Sequence, residues 1–246
     1  MTQPAPTLPT IAILAGGKAT RLGELAATLP KALQPIGDRP FLAWQLDLIA
    51  AQGFHDVVLC IGHLGDQIQH ALPNITPNGM RVRCSSEGGQ ALGTGGALKH
   101  ALPLLSDPFM VLYGDSYLQD DYVRVFRAFE TARADGSPAE AMMTIFRNEN
   151  RFGPSNIEYS GGQILRYEKK ARDSRMQYID WGLGVVTHAA FDTFRNGFDL
   201  ADVYQRTLRA NRLVAHELHR RFYEIGSPDA LNELRNLLAG VSGDED

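Results

Sequence analysis

The sequence has little cysteine, no long apolar run and no excess of positive charge. Its 246 residues include only two cysteines, Cys60 and Cys84. Each lies in or beside a β-branched run, which suits reduced, buried thiols better than a disulfide framework. No stretch approaches the ~18 apolar residues of a spanning helix, so no membrane span is expected. Lys and Arg number 24 against 28 Asp and Glu, a formal net charge of −4. That balance provides no general attraction for nucleic acid or anionic membrane, and any anion site must be local. Two phosphate loops are also missing: no Gly-Lys precedes Ser or Thr, and no G-x-G-x-x-G follows the first predicted strand. His55, His63, His70, His100, His188, His216 and His219 are scattered without the carboxylate and serine partners of a triad. They are expected on the surface or satisfied in the core. The start, MTQPAPTLPT, has three prolines and neither a basic nor an apolar signal region. A disordered leader over 1–10 and a cytoplasmic location are the expectations.

What is present is a repeating alternation of buried strands and amphipathic helices. IAILA (11–15) is a continuous apolar run closed by Gly16 and Gly17, as for a strand covered on both faces. A helix is expected from a capping Asp38 to Gly53, with Pro40 in its first turn. DVVLCIG and MRVRCSS supply strands on either side of the helical LGDQIQHAL. GGALKHAL is a further helix, PFMVLYGD a strand ending on an acid, and DDYVRVFRAFETARADG a helix capped near Asp120. This spacing predicts an α/β fold with a doubly wound, mostly parallel, Rossmann-like sheet. From about residue 140 the pattern turns to strands, including a hairpin at Gly161 and Gly162, and predicts an inserted small β section. Two helices follow, LADVYQRTLRA and SPDALNELRNLLAG, the second with Ser227 as N-cap and Pro228 at N1. The expected organisation is one domain over 11–240, with a first half (11–139), a second half (140–226), a C-terminal helix (227–240) and an acidic tail (241–246).

Ligands of parallel α/β sheets bind outside the carboxyl ends of the strands, where glycines let backbone N–H groups approach a phosphate. Gly16 and Gly17 stand there, followed by Lys18, Arg21 and Lys31. Arg21 offers a fork of donors, and Lys31, fixed behind Pro30, a point charge. Taken alone, these cations could equally be solvated surface charges.

The segment LAGGKATRL…LPKALQPIGDRPFL resembles the signature of the sugar-1-phosphate nucleotidyltransferases, L-A-G-G-x-G-T-R-L followed by P-K and a P-I/V-x-x-x-P segment. Ala19 stands where that family usually has Gly. The resemblance continues to about residue 231 and looks closest to the branch handling heptose or mannose 1-phosphates. It implies that Leu14, Ala15, Gly16, Gly17 and Lys18 bind the nucleotide, with Arg21 and Lys31 catalytic. EGGQALGTGGAL is similar to the base-recognition segment and implies Glu87, Gly93 and Thr94 near the base. VLYGDS resembles x-x-N-G-D and implies Asp115 as a metal ligand; FYEIGSP resembles W-x-D-I-G-T-P, with Glu224 in place of Asp as the second. Asn156, Glu168 and Lys169 (in ILRYEKK, which resembles F-x-E-K), with Asp180 and Gly182 (in YIDWGLGVV), are implied as the sugar-phosphate site.

The reaction implied is NTP plus sugar 1-phosphate giving NDP-sugar and pyrophosphate, for surface polysaccharide or glycoconjugate synthesis. Its nucleophile is already an anion, so the demand is positioning and charge neutralisation rather than a general base. Mg²⁺, which favours oxygen ligands and retains waters, is the implied cofactor. GTP is slightly favoured on resemblance, with CTP and UTP open, and no nucleic acid or membrane partner is expected. A homo-oligomer stays open. So do two other readings: transfer to phosphocholine or a molybdopterin-type cofactor, and an inactive nucleotide-sugar sensor.

Overall fold

The computed structural model describes residues 8–17, 28–169, 173–195 and 197–240. The expected acidic tail, Lys18 and Arg21 lie outside the described residues. Nine strands form one sheet: β1 (Ile11–Leu14), β2 (Asp56–Ile61), β3 (Arg81–Ser86), β4 (Phe109–Tyr113), β5 (Ala141–Arg147), β6 (Ile157–Ser160), β7 (Gln163–Tyr167), β8 (Tyr178–Val186) and β9 (Leu213–Leu218). The helices are α1 (Phe41–Ala51), α2 (Gly65–Ile75), α3 (Gly93–Ala101), α4 (Tyr122–Ala134), α5 (Leu200–Arg209) and α6 (Pro228–Leu238).

The first four strands run parallel in the order β3-β2-β1-β4. Alternation along β1 explains why both faces are covered. Ile11 and Ile13 join Leu42, Leu46, Ile68 and Phe129 from α1, α2 and α4 on one face. Ala12 joins Leu98 and Val203 from α3 and α5 on the other. All three β1 residues are fully buried, which is the doubly wound arrangement that the apolar run predicts.

The β section is continuous with this sheet. β8 lies antiparallel to β4 over Leu183–Val186, and along its other edge it pairs with β5, which pairs in parallel with β9. At its far end Tyr178 pairs with Ile157 of β6 on the edge that β4 occupies elsewhere. Residues 179–182 are therefore unpaired on that edge, between β4 and the β6–β7 hairpin. The hairpin turns at Gly161 and Gly162, as expected.

Two local expectations need correction. The helix predicted from Asp38 starts at Phe41, because Pro35–Ile36 and Arg39–Pro40 form a two-residue antiparallel bridge around Gly37. Leader residues 9 and 10 belong to the fold: both are buried, and the Thr10 amide donates to Ser106 Oγ at 2.9 Å. The cap of α4 is Asp121, whose carboxylate accepts from the Arg124 amide at 2.8 Å. Ser227 caps α6 by accepting from the Ala230 amide, with Pro228 at N1, as the sequence indicates. Cys60 and Cys84 are both free thiols, packed on opposite faces of the sheet.

Candidate active site

A cleft of about 780 Å³ opens at the carboxyl ends of β1, β2, β3 and β4. It gathers nine residues expected at the nucleotide and metal sites: Leu14, Ala15, Gly16, Gly17, Lys31, Glu87, Gly93, Thr94 and Asp115. One wall is bare backbone, since Gly16 and Gly62 lie so close that a Cβ on Gly16 would come 3.0 Å from the Gly62 nitrogen.

Lys31 stands on a single 3-10 turn, Lys31–Leu33, entered through Pro30. Its Nζ donates to Asp115 Oδ2 at 2.7 Å. Asp115 sits in the turn after β4, and α1 holds that turn: Gln45 Nε2 donates to the carbonyls of Tyr113 (3.2 Å) and Ser116 (2.7 Å). A short bridge pairs Ser116–Tyr117 with Tyr223–Glu224, and the Ile225 amide donates to the Asp115 carbonyl at 2.9 Å. Glu224 thus lies one register position from Asp115. Its carboxylate packs beside Gly226, which lines the cleft, while the Glu224 side of the bridge also borders a second hollow with Arg221 and Phe152. Among the described residues no group of three or more His, Cys, Asp or Glu could hold a metal ion. Asp115 lines the cleft and Glu224 does not; a cleft carboxylate still suits Mg²⁺, which takes few protein oxygens and completes its shell with water and substrate phosphates.

On the opposite rim, Asp199 caps α5 and also accepts from the amide and Oγ1 of Thr94 (3.4 and 3.3 Å) and from Lys169 Nζ (3.3 Å). Burial pushes this carboxyl up, but Lys169 and the Thr94 donors outweigh it and hold it below its ordinary value. Thr94 in turn accepts from the Leu200 amide. The first N–H groups of α3 are occupied as well, since Gly95 and Gly96 donate to the Phe198 carbonyl. Burial raises the Glu87 carboxyl, which accepts a long 3.4 Å bond from the Leu92 amide.

The residues expected to hold the sugar phosphate cluster beside this cleft without lining it. Asp180 lies in the unpaired stretch of β8. Its amide donates to Asn156 Oδ1 at 3.3 Å, and its carboxylate accepts from the Gly182 amide at 3.0 Å. Burial raises its carboxyl to about 6. Lys169 reaches the cleft through Asp199, the Glu168 carboxylate lies 3.8 Å from Arg166, and the Glu168 amide donates to the Asn156 carbonyl at 3.0 Å. His63, Gln90, Tyr113 and Asp199 line the cleft without having been expected there. His63 follows β2, and its place just beyond a parallel strand's carboxyl end was a usable signal. Asp199 carried none, because its local pattern is that of a helix cap.

The sequence over residues 11–239 matches the family described as nucleotidyl transferase. The chain belongs to that family. This nucleotidyl transferase is 28% identical over 238 residues to N-acetylmuramate alpha-1-phosphate uridylyltransferase of Neisseria meningitidis, covering 92% of this chain and 96% of that protein. It is 25% identical over 219 residues to D-glycero-alpha-D-manno-heptose 1-phosphate guanylyltransferase of Campylobacter jejuni, covering 88% and 94%. The chain spans only 61% of the mannose-1-phosphate guanylyltransferase catalytic subunit beta of Xenopus tropicalis, to which it is 27% identical over 88% of its own length. In fold it is similar to a putative glucose-1-phosphate thymidylyltransferase from Bacillus anthracis, with a TM-score of 0.80 at 18% identity, covering 96% of this chain and 97% of that one. No described helix is long and apolar enough to cross a membrane.

Proposed function

We propose that this nucleotidyl transferase moves a nucleotidyl group from an NTP to a sugar 1-phosphate, releasing pyrophosphate, and that the NDP-sugar serves surface polysaccharide or glycoconjugate synthesis. The observation that carries the reading is the Lys31–Asp115 pair at 2.7 Å in the cleft beyond the parallel strands. A cation beside a candidate oxygen ligand supports a site where two phosphate groups meet. The relatives' names support the sugar 1-phosphate as acceptor.

In this mechanism an oxygen of the sugar phosphate attacks the α-phosphorus as the bond to the bridging β-oxygen breaks and pyrophosphate leaves. Leu14 to Gly17 present backbone to the nucleotide, with Lys18 and Arg21 assigned to the triphosphate. Lys31 is a point charge between the α-phosphate and the incoming phosphate. Asp115 and Glu224 would hold Mg²⁺, which when bound supplies neutralisation of phosphate charge. Asn156, Glu168, Lys169, Asp180 and Gly182 are assigned to the sugar phosphate; carboxylates accept well from sugar hydroxyls. Glu87 beside Gly93 and Thr94 favours GTP over UTP, because guanine offers two donors on one edge and uracil one.

A pyrophosphate-release assay crossing GTP, UTP, CTP and ATP with the 1-phosphates of mannose, glucose and D-glycero-D-manno-heptose tests the proposal. Release dependent on both substrates and abolished by EDTA is expected. Binding of NDP-sugar with no pyrophosphate release from any pair overturns it in favour of a sensor.

A further inference from the structure

The unpaired edge of β8 contains a contact that the function above does not absorb. Tyr113 is the last residue of β4 and lines the cleft. Its hydroxyl donates to Asp180 Oδ2 at 3.2 Å. The other carboxylate oxygen, Oδ1, accepts from the Gly182 amide at 3.0 Å, and the Asp180 amide donates to Asn156 Oδ1. The ring lies against Gly182, where an added Cβ would come 3.2 Å from Tyr113 Cδ2. Gly182 has φ +97, a left-handed conformation that glycine adopts freely, so this backbone is shaped to receive the ring. Tyr113 is the one side chain from the parallel strands that hydrogen-bonds the Asp180 carboxylate.

We propose that Tyr113 is a positioning residue that fixes the Asp180 carboxylate toward the sugar and thereby sets selectivity for the sugar 1-phosphate. The proposal rests on the reading of the site given above. Its physical basis is that a carboxylate held by one donor on each oxygen has one orientation left, with lone pairs directed away from both donors. Without the hydroxyl, Asp180 keeps only the Gly182 donor and can rotate about its side-chain bond. A hydroxyl-bearing substrate then has to order it at the moment of binding, at an entropic cost. An ordinary phenol is protonated at neutral pH, so the hydroxyl is available as a donor. The Tyr167 and Tyr204 phenols lie within electrostatic reach of the same carboxylate, and Lys169 is the nearby cation.

The test is Tyr113→Phe, which keeps the ring and removes the donor. Wild type and variant are compared with the NTP and sugar 1-phosphate pair that gives most turnover in the panel above, each substrate being varied in turn. KM for the sugar 1-phosphate is expected to rise about 5–20-fold, with KM for the NTP within about twofold and melting temperature little changed. A purely structural tyrosine would shift both KM values or neither, and either result overturns the role. A second variant, Tyr113→Leu, covers the case in which Phe perturbs packing: it lacks the donor too, so its sugar-phosphate KM must rise at least as far. Failure of the parent reading is separately visible, because wild-type enzyme would then release no pyrophosphate from any pair, which removes the role as well.

Discussion

Lys31 acts in this account on charge that develops between two phosphates, and no other described cation lines the cleft. Lys31→Ala should lower kcat on the order of 10²-fold or more, as the loss of other preorganised transition-state donors does, with the fold retained by circular dichroism. Normal turnover would remove this role. Asp180 gives a pH dependence. Its folded value of about 6 lies above its ordinary 3.8 because burial disfavours the charged form. The fold therefore holds a proton that the unfolded chain releases, and stability falls as pH rises through this window. Sugar recognition has the opposite sign: the acceptor carboxylate is lost as pH falls through about 6. Sugar phosphates also titrate near pH 6, so the informative comparison is wild type against Asp180→Asn. The acid limb of kcat/KM for the sugar 1-phosphate should flatten in the variant; an unchanged limb would assign it to the substrate alone.

At the scale of elements, the site depends on how α3, α5 and the loop before α5 interlock. Gly93 has φ +74, and a Cβ there would lie 2.5 Å from the Phe198 carbonyl oxygen. The same carbonyl accepts from Gly95 and Gly96, so it has little room to retreat. Gly93→Ala should open this junction, displacing Thr94 and Asp199 together. A thermal melt lowered by several degrees and an NTP KM raised about tenfold are expected, since a single misplaced wall can cost that much. An unchanged KM would show that the junction does not shape the nucleotide site. Much at this scale was legible in the sequence. Apolar runs marked β1, β2 and β4, Gly161-Gly162 marked the hairpin, and Ser227-Pro228 marked α6. Asp38 misled because it has the composition of a cap, while the following Pro40 is engaged in a two-residue bridge whose partner, Pro35, lies outside the local helical pattern.

At the scale of the whole molecule, β8 joins what the sequence presents as a nucleotide half and a β section. Its antiparallel register on β4 leaves residues 179–182 without a neighbour on that edge, and Asp180 occupies that opening beside Tyr113. No local pattern could reveal this, because register between strands about 70 residues apart is decided by packing across the sheet. The linkage of Thr94, Lys169 and Asp199 was hidden for the same reason: the three come from separate elements and meet only in the folded chain. Leu14 to Gly17, Glu87, Gly93 and Thr94, the described residues that motif resemblance assigns to the nucleotide, lie in short segments at strand ends and line one cleft. The resemblance did not indicate which side chains connect one segment to another.

Transfer of the α-phosphoryl group is the central claim, and following that atom tests it most directly. GTP, and UTP in parallel, labelled at the α-phosphorus is incubated with the enzyme, Mg²⁺ and the 1-phosphates of mannose, glucose or D-glycero-D-manno-heptose. Label is expected in an NDP-sugar, with unlabelled pyrophosphate in equal amount, and both are lost in Lys31→Ala. Label remaining in the triphosphate, or passing to free nucleoside monophosphate without regard to the sugar, would contradict it.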